Sequence, residues 1–575
     1  MKNKFIYLAI IAAGFASCEP EFENEVNANY TSGDADFSSY VAIGNSLTAG
    51  YMDGTVSKGS QMNSYPNLLA QKFALVGGGQ FTQPSYADDV NNLGGLMLEG
   101  VQIANNRLVI NTELKRNSSG NLIYDSNKNP VVRGVEPRYG TALSMPFMQS
   151  TIEVSELQAT AYNNMGVPGA KSFHLGAPGY GNIAGVALGQ SNPYFVRHAT
   201  SPTATVLGDA MSKNPTFFTN WIGANDVLSY ATNGGAQSDG VTPAADHNTT
   251  GNLDPSTYGG NDITNASVFG SVYSTIINTL TINGAKGVVA TVPSVTSIPY
   301  FTTVPYNPLT VMSLGNDSTK SRSEQSVVEQ ADAGAALINQ LNAELYALLD
   351  GVFTAYGEPN RVNPLVVNAA NPILITDIDA ADRSAQISGY LQSVLFYDAT
   401  TANTFGAIFG KSRQTTAADL IVLPASSSAS GGIGANIAGA PIQINKNGIS
   451  YPMANKWVLT ANEQTKVANA TTAYNNSIRA IAASKNLAVA DMNAIMNQLV
   501  NGLQIETGQI YTANYFSGVA TENKVLFSLD GVHPNARGYA VIANEIIKVI
   551  NERYNANLPL HYVNNFPGIN IVGSN

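Results

Sequence analysis

Short apolar runs alternate with amphipathic stretches along most of this chain, and no other feature constrains its fold as much. "YVAIG" (residues 40–44) has the length and composition of a strand. "SYPNLLAQKFALVGG" (64–78) carries Leu68, Leu69, Phe73 and Leu75 at helical spacing before a glycine stop. Residues 160–169 predict a second strand ending in a Gly/Pro turn, and the aromatic, β-branched run 215–226 predicts a third. A helix over 267–285 leads into a buried-type strand at 286–293. Further helices are expected over 323–351, 457–485 and 536–554, with a strand at 487–493. Such alternation argues for a layered α/β fold with a mostly parallel sheet.

Three stretches interrupt the pattern and account for much of the length of 575 residues. Residues 80–150 contain a Ser-Ser-Gly turn between strand-like runs, the mark of a hairpin. Residues 230–264 are nearly all turn formers, and 356–456 mix short strands such as 419–424 with loose Ser/Gly/Ala segments. They read as insertions into one body spanning 38–555, placed to form a lid or second lobe beside a site, with a tail at 556–575.

The N-terminus carries a different signal. Lys2 and Lys4 precede twelve apolar residues (5–16), a secretory pattern too short to span a bilayer. Ala16 and Ser17 then precede Cys18, the only cysteine of the chain. This resembles the lipobox of bacterial lipoproteins and implies a signal peptide at 1–17 and acyl chains on Cys18. Residues 18–37, acidic and turn-rich, read as a flexible tether. The acidic stretch is similar to signals that direct some Bacteroidetes lipoproteins to the outer face of the outer membrane, so a lipid-anchored, outer-membrane location is expected. With a single cysteine there is no intrachain disulfide, and stability must come from the core. The net charge of −11 and the absence of a Lys/Arg cluster exclude nucleic acid as a natural partner.

Four short motifs carry chemistry. "GNSLTAGY" holds Ser46, "NNMGVPGA" holds Gly166, "GANDV" holds Asn225, and "DGVHPNARGY" holds Asp530 and His533. Taken singly, Ser46 also fits a solvated loop, and the Asp-x-x-His pair also fits a helix cap beside a surface histidine. Five histidines in all make a base near any serine a scarce commodity. "GAIFGKS" (406–412) has three residues between Gly406 and Gly410 where a phosphate-binding loop needs four, and reads as an ordinary loop without a role for Ser412. His174 and Trp221 fit structural positions better than substrate contacts, and Trp457 opens a helix.

The four motifs, in this order, resemble the four blocks of the SGNH (GDSL-type) hydrolases. Three follow predicted strands and the fourth precedes the last helix, where a doubly wound sheet places its ligands. The resemblance implies a three-layer α/β/α, flavodoxin-like fold with a mostly parallel five-stranded sheet. It implies Ser46 as nucleophile, His533 as base, Asp530 as the group orienting it, and an oxyanion hole from the Ser46 and Gly166 N–H groups and the Asn225 amide. No metal or organic cofactor is implied. Asn45 stands where the family usually has Asp. The expected activity is hydrolysis of a carboxylic ester, of an acyl lipid or aryl ester, with an acetylated sugar as the nearest enzymatic rival. A reading of another class is an outer-membrane binding or assembly subunit with little turnover, partnered by a β-barrel.

Overall fold

The computed structural model describes residues 29–138, 149–516, 524–569 and the backbone of 571–572. The signal-like stretch and Cys18, with the lipid anchor expected there, lie outside the described residues. All five residues of the first strand, Tyr40–Gly44 (β1), are buried. That absence of alternation is what a strand covered on both faces requires. The short helix Ser46–Ala49 (α1) and Tyr65–Phe73 (α2) follow. Then come Asn164–Gly166 (β2), Val206–Met211 (α3), Phe217–Trp221 (β3) and Asn225–Thr232 (α4). Ala266–Leu280 (α5) leads into Lys286–Ala290 (β4). After a long excursion, Ala461–Ser484 (α6), Ala488–Ala490 (β5), Met492–Asn501 (α7) and Ala536–Tyr554 (α8) complete the body.

The five strands form one sheet in the order β5-β4-β3-β1-β2, and every pairing is parallel. The chain steps from β1 to one side, returns to the other side for β3, and continues outward. The direction therefore reverses at β1, and loops leaving the C-terminal ends of β1, β2 and β3 diverge there to leave a crevice. Gly44 is level with Gly166 on one side and Trp221 on the other, so the three strand ends are in register. Two groups of helices pack against the sheet: α2 with α8, and α3 with α5 and α6. Aromatic rings fill the sheet–helix contact, with Phe37 stacked on Phe73 at 3.9 Å and Phe217 edge-on to both.

Several elements differ from the sequence reading. The tether expected through residue 37 ends earlier: the Asp34 N–H donates to Tyr554 O at 2.7 Å and Phe37 is buried in the core. The second strand shrinks to three residues, and Pro168 stands in the turn closed by Ala170 N–H to Val167 O. Trp457 closes a 3₁₀ turn instead of opening a helix, and α6 starts after a Thr460–Glu463 capping box. Gly406 lies inside the helix Ala399–Phe409, where the sequence suggested a loop. The helix expected over 323–351 is Val327–Leu341, a π turn at Asn342–Tyr346, then Ala347–Ala355. At that turn the Asn342 side chain hydrogen-bonds the backbone of Leu365 in both directions, at 2.7 and 2.8 Å.

The excursions have substance of their own. Leu108–Leu114 pairs antiparallel with Val132–Pro137, and residues 571–572 of the tail add a parallel strand to that pair. Residues between β4 and α6 enclose a second apolar cluster that includes Ile338, Phe353, Leu374 and Phe409. Among the described residues no helix is long and apolar enough to cross a membrane.

Candidate active site

Ser46 sits where β1 turns into α1. Asn45 caps that helix, its Oδ1 accepting the Leu47 N–H at 3.2 Å, which directs the next side chain out of the sheet's end. Asp530 and His533 lie in the turn before α8, whose start is capped by Asn535 accepting the Gly538 N–H at 3.0 Å. Although 487 residues separate them in sequence, His533 Nε2 lies 2.9 Å from Ser46 Oγ. His533 Nδ1 lies 3.0 Å from Asp530 Oδ2. With Nδ1 protonated toward the carboxylate, Nε2 is left as the acceptor facing the hydroxyl.

Asp530 is itself held from several sides. Its Oδ1 accepts the N–H groups of Val532 and His533 at 2.9 and 2.8 Å and the Ser528 hydroxyl at 3.0 Å. Its Oδ2 also accepts the Gly54 N–H at 3.1 Å. Burial pushes this carboxyl up, but His533 and the backbone donors outweigh it and hold the group below its ordinary value. The carboxylate is therefore ionised at neutral pH, as an orienting group for an imidazole should be.

The sequence reading overlooked the support for this pair. Met52 to Thr55 form a tight hairpin with Asp53 and Gly54 at its tip, both at positive φ. The Asp53 N–H donates to Ser528 Oγ at 3.0 Å, and Asp53 Oδ1 accepts the Leu529 N–H at 3.0 Å. That hairpin thus clasps the Asp530–His533 turn. Burial raises the Asp53 carboxyl to about 7. The Tyr51 ring rests against the His533 imidazole at 4.5 Å, and its carbonyl accepts the Tyr539 hydroxyl at 2.7 Å. The Asp-Gly dipeptide was a visible turn signal, but nothing local says what a turn packs against.

Gly166 departs from its expected role. Its N–H already donates to Asn164 Oδ1 at 3.0 Å, so it is not free to meet an oxyanion. Its missing side chain serves packing: a Cβ there would stand 2.2 Å from the Ala49 nitrogen. The free donor lies three residues on. Residues 167–170 make a turn closed by Ala170 N–H to Val167 O at 3.1 Å, with Gly169 at φ +80°. Asn192 Nδ2 donates to Pro168 O at 2.7 Å, which fixes the Pro168–Gly169 peptide and turns the Gly169 N–H the opposite way. Among the described residues that N–H has no acceptor, and neither has the Ser46 N–H.

Asn225 opens α4 and is buried; one amide hydrogen goes to Ala170 O at 2.9 Å and the other is left over. The adjacent Asp226 locks the same neighbourhood, accepting the Ser172 N–H at 2.9 Å and the Ser172 hydroxyl at 2.7 Å. Ser46, His533 and Asp530 therefore converge, and Asn225 reaches the turn that bears Gly169. His174 is no part of this: its Nδ1 accepts the Lys171 N–H at 3.1 Å, its ring stacks on Tyr180, and burial lowers it to about 4. Trp221 is buried with its indole N–H on Thr291 O at 3.1 Å. Among the described residues no cluster of three or more His, Cys, Asp or Glu is arranged to hold a metal ion.

Comparison of the chain with protein-family models, with curated proteins and with solved structures finds no match.

Proposed function

We propose that this chain is a serine esterase of the SGNH type, built on a three-layer flavodoxin-like body with insertions. One observation carries the reading: an unbroken relay of Ser46 Oγ, His533 and Asp530 with contacts of 2.9 and 3.0 Å. A hydroxyl needs such a base to become a nucleophile near neutral pH. In the reaction Ser46 Oγ attacks the ester carbonyl while His533 Nε2 takes its proton. Asp530 stabilises the imidazolium through Nδ1. As the tetrahedral intermediate collapses, the same proton passes from Nε2 to the leaving alcohol. Water then repeats the sequence on the acyl-serine, releasing the acid and restoring Ser46.

The oxyanion is met by the Ser46 N–H, the spare Asn225 amide hydrogen and the Gly169 N–H. Preorganised donors of this kind are worth most where charge appears in the transition state. A fluorophosphonate probe tests the reading. The wild type is expected to be labelled, with labelling abolished in S46A; an unlabelled but folded wild type refutes it.

A second reading, a binding or assembly subunit, draws on the exposed apolar residues 394–397 beyond the helix Ser384–Ser393, where Phe396 is 86% exposed. Under either reading the chain is a lipoprotein anchored through Cys18 in the outer membrane. Incorporation of labelled palmitate that is lost in C18A tests the anchor.

A further inference from the structure

A hollow of about 110 Å³ opens at the C-terminal edge of the sheet, among the segments that follow β3, β4 and β5 and the first turns of α8. Its walls include Leu47, Trp221, Ile298, Met496, Leu499 and Val532. No lining side chain is charged, and the one strong donor, the Trp221 indole, is already spent on Thr291 O. Leu47 follows Ser46, and Val532 and Pro534 flank His533, so the hollow is walled in part by the two turns that carry the Ser46–His533 pair, although neither of those two residues lines it. It lies on the β3–β4–β5 side of Ser46, away from the Gly169 turn that follows β2. Protein interiors ordinarily close at near-crystalline density, so an unfilled apolar recess beside a nucleophile is a place made for an apolar guest.

We propose that this hollow receives the start of an unbranched hydrocarbon chain on the acyl group, about four methylenes of it, making acyl esters longer than acetate the preferred substrates. The inference rests on the esterase reading above. The acyl group stays on Ser46 through both half-reactions, whereas the alcohol must leave toward solvent. A walled recess beginning at Leu47 therefore suits the part that stays. Met492 and Met496, unbranched and adaptable, suit a chain without fixed shape. Nothing on these walls would recognise the hydroxyls of a sugar.

Each methylene buried there is worth about fourfold in binding, so four are worth on the order of 200-fold. The test uses p-nitrophenyl esters from acetate to dodecanoate, which share one leaving group, alongside a series of alkyl acetates. The kcat/KM ratio of decanoate to acetate is expected to exceed about 100, through KM as well as kcat, and to fall toward 1 in M496W and I495D, with melting curves reporting their folding. A flat profile, a preference for acetate, or a preference that follows the alcohol chain overturns the proposal while leaving the esterase reading standing. If neither fluorophosphonate labelling nor any ester cleavage is seen, the esterase reading fails instead. The hollow is then read by calorimetry with dodecanoate: saturable binding by the wild type that is lost in M496W supports a hydrocarbon-chain site, and no binding overturns it.

Discussion

Replacing Asn192 by aspartate separates two jobs that one side chain performs. Asn192 Oδ1 caps the short helix Pro193–Val196, accepting the Tyr194 and Phe195 N–H groups at 3.0 and 3.3 Å. Its Nδ2 donates to Pro168 O at 2.7 Å and to the Tyr180 hydroxyl at 3.1 Å. Aspartate keeps the cap and can accept from Tyr180, but it sets an oxygen against a carbonyl oxygen at the Pro168 contact. That contact becomes repulsive, and the Pro168–Gly169 peptide must rotate to relieve it. Losing the hydrogen bond and leaving its partner unpaired costs about 1–3 kcal/mol of stability. Rotation also withdraws the Gly169 N–H from the oxyanion, and losing one such donor lowers kcat roughly 100- to 1,000-fold. N192D should thus remain folded, with kcat on p-nitrophenyl acetate down by that factor and KM within about threefold of wild type. Steady-state kinetics paired with a urea titration provide both readings. A folded N192D whose kcat stays within about threefold of wild type would refute the assignment of Gly169 and of Asn192 as its positioning residue.

Asp530→Asn puts an amide against the His533 Nδ1–H and the Gly54 N–H, both of which need an acceptor at Oδ2. The imidazole is driven to the wrong tautomer, and hydrolysis should fall on the order of 10⁴-fold, read as kcat/KM, with a loss of melting temperature that S46A does not show. Asp53→Asn tests the buried carboxyl near the relay. Folded Asp53 keeps its proton up to about pH 7, while the unfolded chain releases it near 3.8, so the wild type loses stability as pH rises through that window and no further above it. D53N lacks this loss. Its stability relative to wild type should rise by up to about 4 kcal/mol between pH 4 and 8, and parallel pH profiles from urea titrations would contradict the burial argument. Gly166→Ala forces a Cβ to 2.2 Å from the Ala49 nitrogen, so α1 must shift. A loss of about 1–3 kcal/mol or more is expected by thermal melt, together with slower labelling of Ser46.

The elements that carry their own periodicity were legible before folding. The helices at Ala266–Leu280, Ala461–Ser484 and Ala536–Tyr554 fall close to where apolar spacing put them, because burial of one face is written in every third or fourth residue, and the strand at Tyr40–Gly44 falls where a short continuous apolar run put it. The residues Ser46, Asp530 and His533, which the structure brings into contact, were legible as short motifs, since Asp530 and His533 meet within one turn of the chain. Gly166 misled for a physical reason. Glycine is demanded both where a donor must approach a ligand and where two backbones touch, and the composition of "NNMGVPGA" is the same in either case. Residues 31–37 misled similarly: their acidic, turn-rich character resembles a linker, yet Phe37 finds a partner in Phe73, a contact no local pattern reveals.

By itself, then, the sequence determined the alternation of strands and helices and the short motifs that hold Ser46, Asp530 and His533, because both are local properties of the chain. Only the tertiary structure decided that β1 lies between β2 and β3, that Ser46 meets His533 across 487 positions, which N–H groups remain unspent, and that Leu47, Trp221 and Val532 wall one apolar hollow. Those outcomes depend on long-range packing, where each donor and each methyl is committed by neighbours from distant segments, and no window of sequence contains both partners.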